Sequence, residues 1–289
     1  MLFRSPGVSM CPPEGDAGTG MVATNSIAPR TGNVSAGTSI FAMIVLENNL
    51  RETHTEIDVV ATPDGLPVAM VHCNNCTSEL DAWVKLFDRF ASSIGMTLSK
   101  TKLYKTLYQM ALDGAADAGG LLSYNNISGE PVVGLEEGRP LFTRLPDSMF
   151  TLENFMRTLL YGAIAALKLG MDILTENENV TVDTLTGHGG LFKTPEVGQR
   201  IMAGALGIPV SVMESAGEGG AWGIALLAKY AVDRENGETL RDYLRRYVFD
   251  GMQSLRIDPD MDITAGFESY IERYKQGLAA ERAAIEHIK

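Results

Sequence analysis

The chain has 289 residues, 45% hydrophobic and 21% charged, with a formal charge of −12, an ordinary globular composition long enough for one large or two smaller cores. The acidic balance and the lack of a long basic cluster argue against a nucleic-acid backbone as partner, and an anionic ligand would need local N–H groups, lysine or a divalent metal. No apolar run reads as long enough to span a bilayer, Met1–Pro6 holds no signal-peptide core, and three cysteines cannot all pair, which fits a reducing, cytoplasmic setting.

In chain order, Pro12–Gly20 reads as a polar, glycine-rich turn leading into Met21-Val22-Ala23. On its own residues, Asp16 there is a helix cap or an Asx turn. Within Asn33–Leu46 the pattern predicts a strand, a tight Gly37-Thr38-Ser39 turn and a hydrophobic strand. That turn either presents N–H groups and hydroxyls to a phosphate or simply closes a hairpin. Ile57–Ala61 and Val68–His72 flank Asp64-Gly65 as a second hairpin.

Cys73 and Cys76 form a Cys-x-x-Cys with no second ligand pair for zinc, so buried or helix-capping thiols are preferred to a redox pair. Leu80, Trp83, Val84, Phe87, Phe90 and Ile94 make an apolar helical stripe, opened by a Ser78-x-x-Asp81 capping box. Leu103, Leu107, Met110 and Ala111 make another. Gly119–Glu130 reads as a short strand entering a polar loop. Thr151 opens a long helix with Phe155, Leu159, Leu160 and Ile164 inward, and Thr181–Leu185 is a strand.

The stretch from Thr186 to Ala228 carries the most information. Gly187, Gly189 and Gly190 allow a sharp turn and close approach of a ligand. Pro195 suits a first helical turn, Val197, Ile201, Met202 and Leu206 repeat at helical spacing, and Gly207 stops the helix. Ile208–Met213 is a strand, after which Gly217, Gly219 and Gly220 open an apolar helix through Tyr230. A glycine turn opening a helix can receive an anion or nucleotide, because free N–H groups and the helix dipole face the ligand. One such turn alone reads better as a connection; two flanking one helix–strand unit favour the ligand. His188 reads as a solvent-facing turn residue. Beyond Tyr230, Leu240, Tyr243, Leu244 and Val248, then Phe267, Tyr270, Ile271, Tyr274 and Leu278, mark two further helices.

The order of these motifs resembles the nucleotide-binding half of the FGGY carbohydrate kinases: Gly-Asp at Asp16, Gly-Thr-Ser at Gly37, then Gly189-Gly190, Lys193-Thr194-Pro195, Gln199, Gly207-Ile208-Pro209-Val210 and the Gly219-Gly220 helix. The resemblance implies an α/β, ribonuclease H-like ATPase domain of the actin, Hsp70 and hexokinase superfamily, with added helices. It further implies a xylulokinase- or ribulokinase-like enzyme moving the γ-phosphoryl of ATP to a pentulose or related sugar, with Mg²⁺ bridging the phosphates. Asp16 would take the hydroxyl proton, and Gly37, Thr38 and Ser39 would hold the β- and γ-phosphates. Gly187, Gly189, Gly190, Lys193, Gly219 and Gly220 would bind the nucleotide. No protein side chain is assigned to the metal. The departures are Ala17 where members often have Gln, Gly204 where they often have Asp, and no Arg-Thr-Pro after Glu130, which is given no role.

By the same resemblance, residues 1–29 are the remnant of a sugar-binding domain, expected to pack poorly, and residues 30–289 are the nucleotide-binding domain. Leu2-Phe3-Arg4-Ser5 matches what a common sequencing adapter encodes in one frame. The chain is therefore expected to be a C-terminal fragment that binds ATP weakly and is inactive alone. Its expected partners are ATP and a sugar, with neither nucleic acid nor membrane; a homodimer is compatible. The alternatives are a superfamily ATPase of chaperone or activator type without a sugar acceptor, and a non-catalytic α/β scaffold.

Overall fold

The computed structural model describes residues 7, 10–213 and 219–288. The strands are β1 (Thr31–Ala36), β2 (Ile40–Val45), β3 (Ile57–Ala61), β4 (Pro67–Cys73), β5 (Leu121–Tyr124), β6 (Leu141–Arg144), β7 (Thr184–His188), β8 (Val210–Met213) and β9 (Ser254–Ile257). Seven of them form one sheet in the order β3-β4-β2-β1-β7-β8-β9, while β5 and β6 pair separately. β1 runs antiparallel to β2 and parallel to β7, and β7 runs parallel to β8.

The helices are α1 (Asp16–Ala23), α2 (Ser78–Ser93), α3 (Lys100–Ala111), α4 (Leu152–Asp172), α5 (Val197–Leu206), α6 (Gly219–Asp233), α7 (Leu240–Tyr247) and α8 (Met261–His287). They cover both faces of the sheet, which is why β2 is apolar along nearly its whole length. Ile40, Ala42 and Ile44 pack with α2, α3, α4, α5 and α8; Met43 and Val45 pack with Met21 and Val22 of α1, Leu226 of α6 and Tyr243 of α7.

The segment before Pro29 differs from expectation. Asp16–Ala23 is a helix rather than a turn, and Met21, Val22 and Ile27 have no exposed surface. The cause is close packing on α6: a Cβ on Gly223 would overlap the Thr19 carbonyl, and one on Gly220 would stand 2.9 Å from Thr19 Oγ1. Small residues bring the two backbones together, and this packing overrides the low helix propensity of Gly18 and Gly20. The strand expected at Thr181–Leu185 lies three residues later. Its register is set by pairing of Thr31 with Thr184 and Ser35 with His188, and Asp183 instead pairs with Arg30 at 2.6 Å. The short strands β6 and β9 had no counterpart in the sequence reading.

The capping box at Ser78 does not form either. Thr77 precedes α2, and Asp81 accepts from Tyr104 Oη at 2.8 Å. Leu152–Asn177 is long and apolar enough to cross a membrane, contrary to the sequence reading, but most of it is buried inside the protein. It is the central helix. Its Arg157 donates to Ala111 O at 2.8 Å, Ala115 O at 3.2 Å and Leu112 O at 3.1 Å, satisfying carbonyls at the end of α3.

Glu281 on α8 is fully buried, with both carboxyl oxygens accepting from Asn126 Nδ2 at 3.0 and 3.1 Å. Burial pushes its carboxyl up to about 7, against the hydrogen bond from Asn126. A folded value above the unfolded one favours the fold at low pH and disfavours it as pH rises through 7. Glu281→Gln is therefore expected to raise Tm relative to wild type at about pH 8 and not at about pH 5, by an amount of order 1 kcal/mol or a few degrees. Thermal unfolding at the two pH values checks this.

Candidate active site

Two glycine-bearing reversals follow strands that point the same way. In the parallel register Ser35 lies beside His188, so the turns after β1 and β7 emerge at one edge of the sheet, and β8 runs parallel to β7 with Thr186 beside Ser211. The two turns touch directly. Gly189 has φ +101° and ψ −172°, a region open essentially to glycine alone, and a Cβ there would stand 2.5 Å from the Ala36 carbonyl. Gly189 is thus required by the backbone and by β1. Gly190 beside it is exposed, and a Cβ there would meet only the Ala36 carbonyl, at an unstrained 3.8 Å. Gly187 is filled by the Phe192 ring, 2.6 Å from the place of a Cβ.

The Gly37-Thr38-Ser39 turn is tied down by its carbonyls. Gly37 O accepts from Thr77 N at 3.1 Å and Thr77 Oγ1 at 2.9 Å, and Thr38 O accepts from Cys76 N at 2.9 Å. Among the described residues, the Thr38 and Ser39 amides and hydroxyls have no partner, and a Cβ on Gly37 would meet open space. The electronegative side of the turn is therefore occupied and its donor side is open, which is the polarity an anion needs.

Behind this turn stands a second support. Asn75 Oδ1 accepts from Ile127 N at 2.9 Å, Ser128 N at 3.0 Å and Ser128 Oγ at 3.2 Å, while Glu130 accepts from Asn75 N at 3.2 Å and Nδ2 at 3.0 Å. Burial pushes the Glu130 carboxyl up despite those bonds. Sequence reasoning gave Glu130 no role; here it holds the loop whose next two residues hold Gly37 and Thr38. Asn75→Ala would strip several buried partners at once, at about 1–3 kcal/mol. We expect a lower Tm together with faster amide exchange at residues 37–39, measured by hydrogen exchange. Cys73 and Cys76 flank this loop as core side chains, and burial pushes both thiols up.

A cavity of about 330 Å³ lies between α2, α3 and the turn after β7, lined by Thr77, Asp81, Lys100, Tyr104, Gly190 and Lys193 among others. Its α2 and α3 residues were not singled out from the sequence, because Asp81 read as a helix cap. Burial and the adjacent Asp81 push the Tyr104 phenol up to about 12. Lys193 itself is exposed.

Asp16 is the first residue of α1 and is exposed; its Oδ1 accepts from Ala17 N at 2.8 Å, and no cation pairs with it among the described residues. α1 lies over β1, since a Cβ on Gly20 would stand 3.5 Å from Asn33 Nδ2. Gly219 and Gly220 open α6, beyond β8, and Gly220 faces Thr19 of α1. Gly217 lies outside the described residues, as do Leu2–Ser5.

Residues 32–232 match the family model described as the C-terminal domain of the FGGY family of carbohydrate kinases. The chain belongs to the FGGY family. Its fold is accordingly the ribonuclease H-like fold of the actin, Hsp70 and hexokinase superfamily. Similar solved structures include xylulose kinase from Rhodospirillum rubrum (17% identity, TM-score 0.72, 93% of this chain and 51% of that one). Gluconate kinase from Lactobacillus acidophilus is similar at 16% identity, with TM-score 0.70 and coverage of 93% and 51%. Plasmodium falciparum glycerol kinase with ADP is similar at 14% identity, with TM-score 0.69 and coverage of 93% and 50%. This FGGY chain thus spans about half the length of these structures. Comparison with curated proteins found no match.

Proposed function

We propose that this FGGY chain is the nucleotide-binding half of an ATP-dependent kinase acting on a pentulose or related sugar, of xylulokinase or ribulokinase type. The observation that carries the reading is the phosphate turn: its carbonyls are bound from behind and the Thr38 and Ser39 donors have no partner among the described residues, beside a glycine turn at the same sheet edge. Gly37, Thr38 and Ser39 hold the β- and γ-phosphates. Gly189, Gly190 and Lys193, with Gly219 and Gly220, form the walls that receive the α-phosphate and adenosine, while Gly187, closed off by the Phe192 ring, only shapes the turn. In the transfer, the sugar oxygen bonds to the γ-phosphorus, the bond from that phosphorus to the ADP oxygen breaks, and the hydroxyl proton passes to the Asp16 carboxylate.

Mg²⁺, when bound, supplies neutralisation of phosphate charge. No group of three or more His, Cys, Asp or Glu side chains among the described residues could hold a metal. An ion held chiefly by phosphates and water would need no protein cage. Residues 1–29 belong in this reading to the end of a sugar-binding domain, with α1 docked on α6, and the cytoplasm is the compartment.

The test has two arms. This chain alone is expected to bind ATP weakly and to phosphorylate no sugar, because the acceptor has nothing to position it. A chain extended by an FGGY sugar-binding half is expected to phosphorylate at least one pentulose or related sugar. Nucleotide hydrolysis with no sugar acceptor would favour the ATPase alternative, and no nucleotide binding in either chain would contradict the reading.

A further inference from the structure

A buried polar pair beneath this cleft has no place in the mechanism above. Asn33 lies mid-β1 with no exposed surface, and its Nδ2 stands 3.3 Å from His188 Nε2. Asn33 Oδ1 is buried and has no partner among the described residues. His188 was expected to face solvent, but it is half-buried at the end of β7. It lines a cavity of about 450 Å³ with Gly189, Gly190, Lys193 and Met213. Its Nδ1 has no hydrogen-bond partner among the described residues.

We infer that His188 is a proton-coupled phosphate-binding residue: it takes up a proton as the nucleotide's phosphates enter this cavity and donates to them from Nδ1. The inference rests on the nucleotide reading above. In the neutral pair, Asn33 Nδ2 donates to Nε2, which fixes the Nδ1–H tautomer and leaves Oδ1 without a donor. In the protonated pair, Nε2–H needs an acceptor, and a half-turn of the Asn33 amide brings Oδ1 to it, satisfying the oxygen that is otherwise orphaned. Asparagine can serve both states; an apolar residue could serve neither.

In the free chain, burial holds the imidazole below its usual value. The charged groups on the surrounding elements are few. Lys193 follows on the adjoining turn, and Asp16 begins α1. β1, β7 and β8 carry no other titratable group, α6 has none before Lys229, and Glu214 and Glu218 lie outside the described residues. An arriving phosphate reverses the balance, since a nearby anion favours the cationic ring. Nucleotide affinity then strengthens as pH falls, by at most about tenfold per pH unit for one linked proton.

Calorimetry of ADP binding to this chain, in two buffers of different ionisation enthalpy, reads the proton uptake directly. The titration of ADP's own phosphate is common to wild type and His188→Gln and cancels in their difference. Wild type is expected to take up more protons per ADP than His188→Gln, and the ratio of their affinities to widen by up to about tenfold per unit from pH 8 to pH 6. Equal uptake with ADP bound to both overturns the inference while leaving the nucleotide site standing. A folded wild-type chain that binds no ADP overturns the site and the inference together. Should His188→Gln not fold, the His188 ring-proton NMR titration in wild type replaces it: a value raised by ADP supports the proposal, and one unchanged or lowered overturns it.

Discussion

Asp16→Asn, placed in a chain that carries a sugar-binding half, is expected to lower kcat by about 10²-fold or more, the usual scale for removing a general base. A sugar hydroxyl is a poor nucleophile until its proton has somewhere to go. Asn keeps the shape of the side chain and its aptitude for the start of a helix, but cannot take the proton. The structural cost should be small. Asp16 is exposed, its Oδ1 bond is to the neighbouring Ala17 amide, and the bond from Thr19 Oγ1 to the Asp16 carbonyl at 3.0 Å does not involve the carboxylate. Nucleotide affinity and Tm should stay close to wild type. Steady-state kinetics with calorimetry checks both. Near-normal kcat, or a loss of nucleotide affinity in step with kcat, would reduce Asp16 to the residue that starts α1.

Gly189→Val should act in the opposite way, through the fold first. The glycine-only backbone angles cost a valine about 1–3 kcal/mol, and the new Cβ must also push away the Ala36 carbonyl 2.5 Å distant. A total near 3 kcal/mol corresponds to a fall in Tm of roughly 6–12 °C for a domain of this size. Because Ala36 precedes Gly37, relief of the overlap must move one candidate phosphate turn relative to the other, and nucleotide affinity should fall with stability. Gly190→Val provides the contrast. Gly190 is exposed and a Cβ there would meet only the Ala36 carbonyl, at an ordinary 3.8 Å, so the variant should keep stability within about 0.5 kcal/mol of wild type and weaken nucleotide binding by occupying the approach. Equal Tm for Gly189→Val and wild type would contradict this account of the turn.

Much of this was legible in the sequence where local pattern and tertiary packing agree. The Asp64-Gly65 hairpin is present with Gly65 at φ +90°, β3 spans Ile57–Ala61, and Phe267, Tyr270, Ile271, Tyr274 and Leu278 are the buried stripe of α8. The same holds for the order strand, glycine turn, helix, strand after Thr184. The misses occur where distant residues overrule a local signal. Gly18 and Gly20 read as turn formers, yet both lie within α1, where Gly20 faces Asn33 and Thr19 between them packs on Gly220 and Gly223 of α6. Val180 and Val182 look more strand-like than Gly187 and His188, yet pairing with β1 selects the latter. Asp81 has the spacing of a cap, and its partner Tyr104 lies on the next helix. Glu130 and Asn33 carry no motif, and their meaning rests on partners 55 and 155 residues away.

The central claim is that nucleotide binds across the turns after β1 and β7. Hydrogen exchange of this chain with and without saturating ADP tests it most directly. The account predicts slowed exchange at the amides of Thr38 and Ser39 and in the segment Gly189–Lys193, with little change at the opposite edge around Arg30 and Asp183. Protection confined to other surfaces while ADP is bound, with residues 37–39 and 189–193 unchanged, would contradict it.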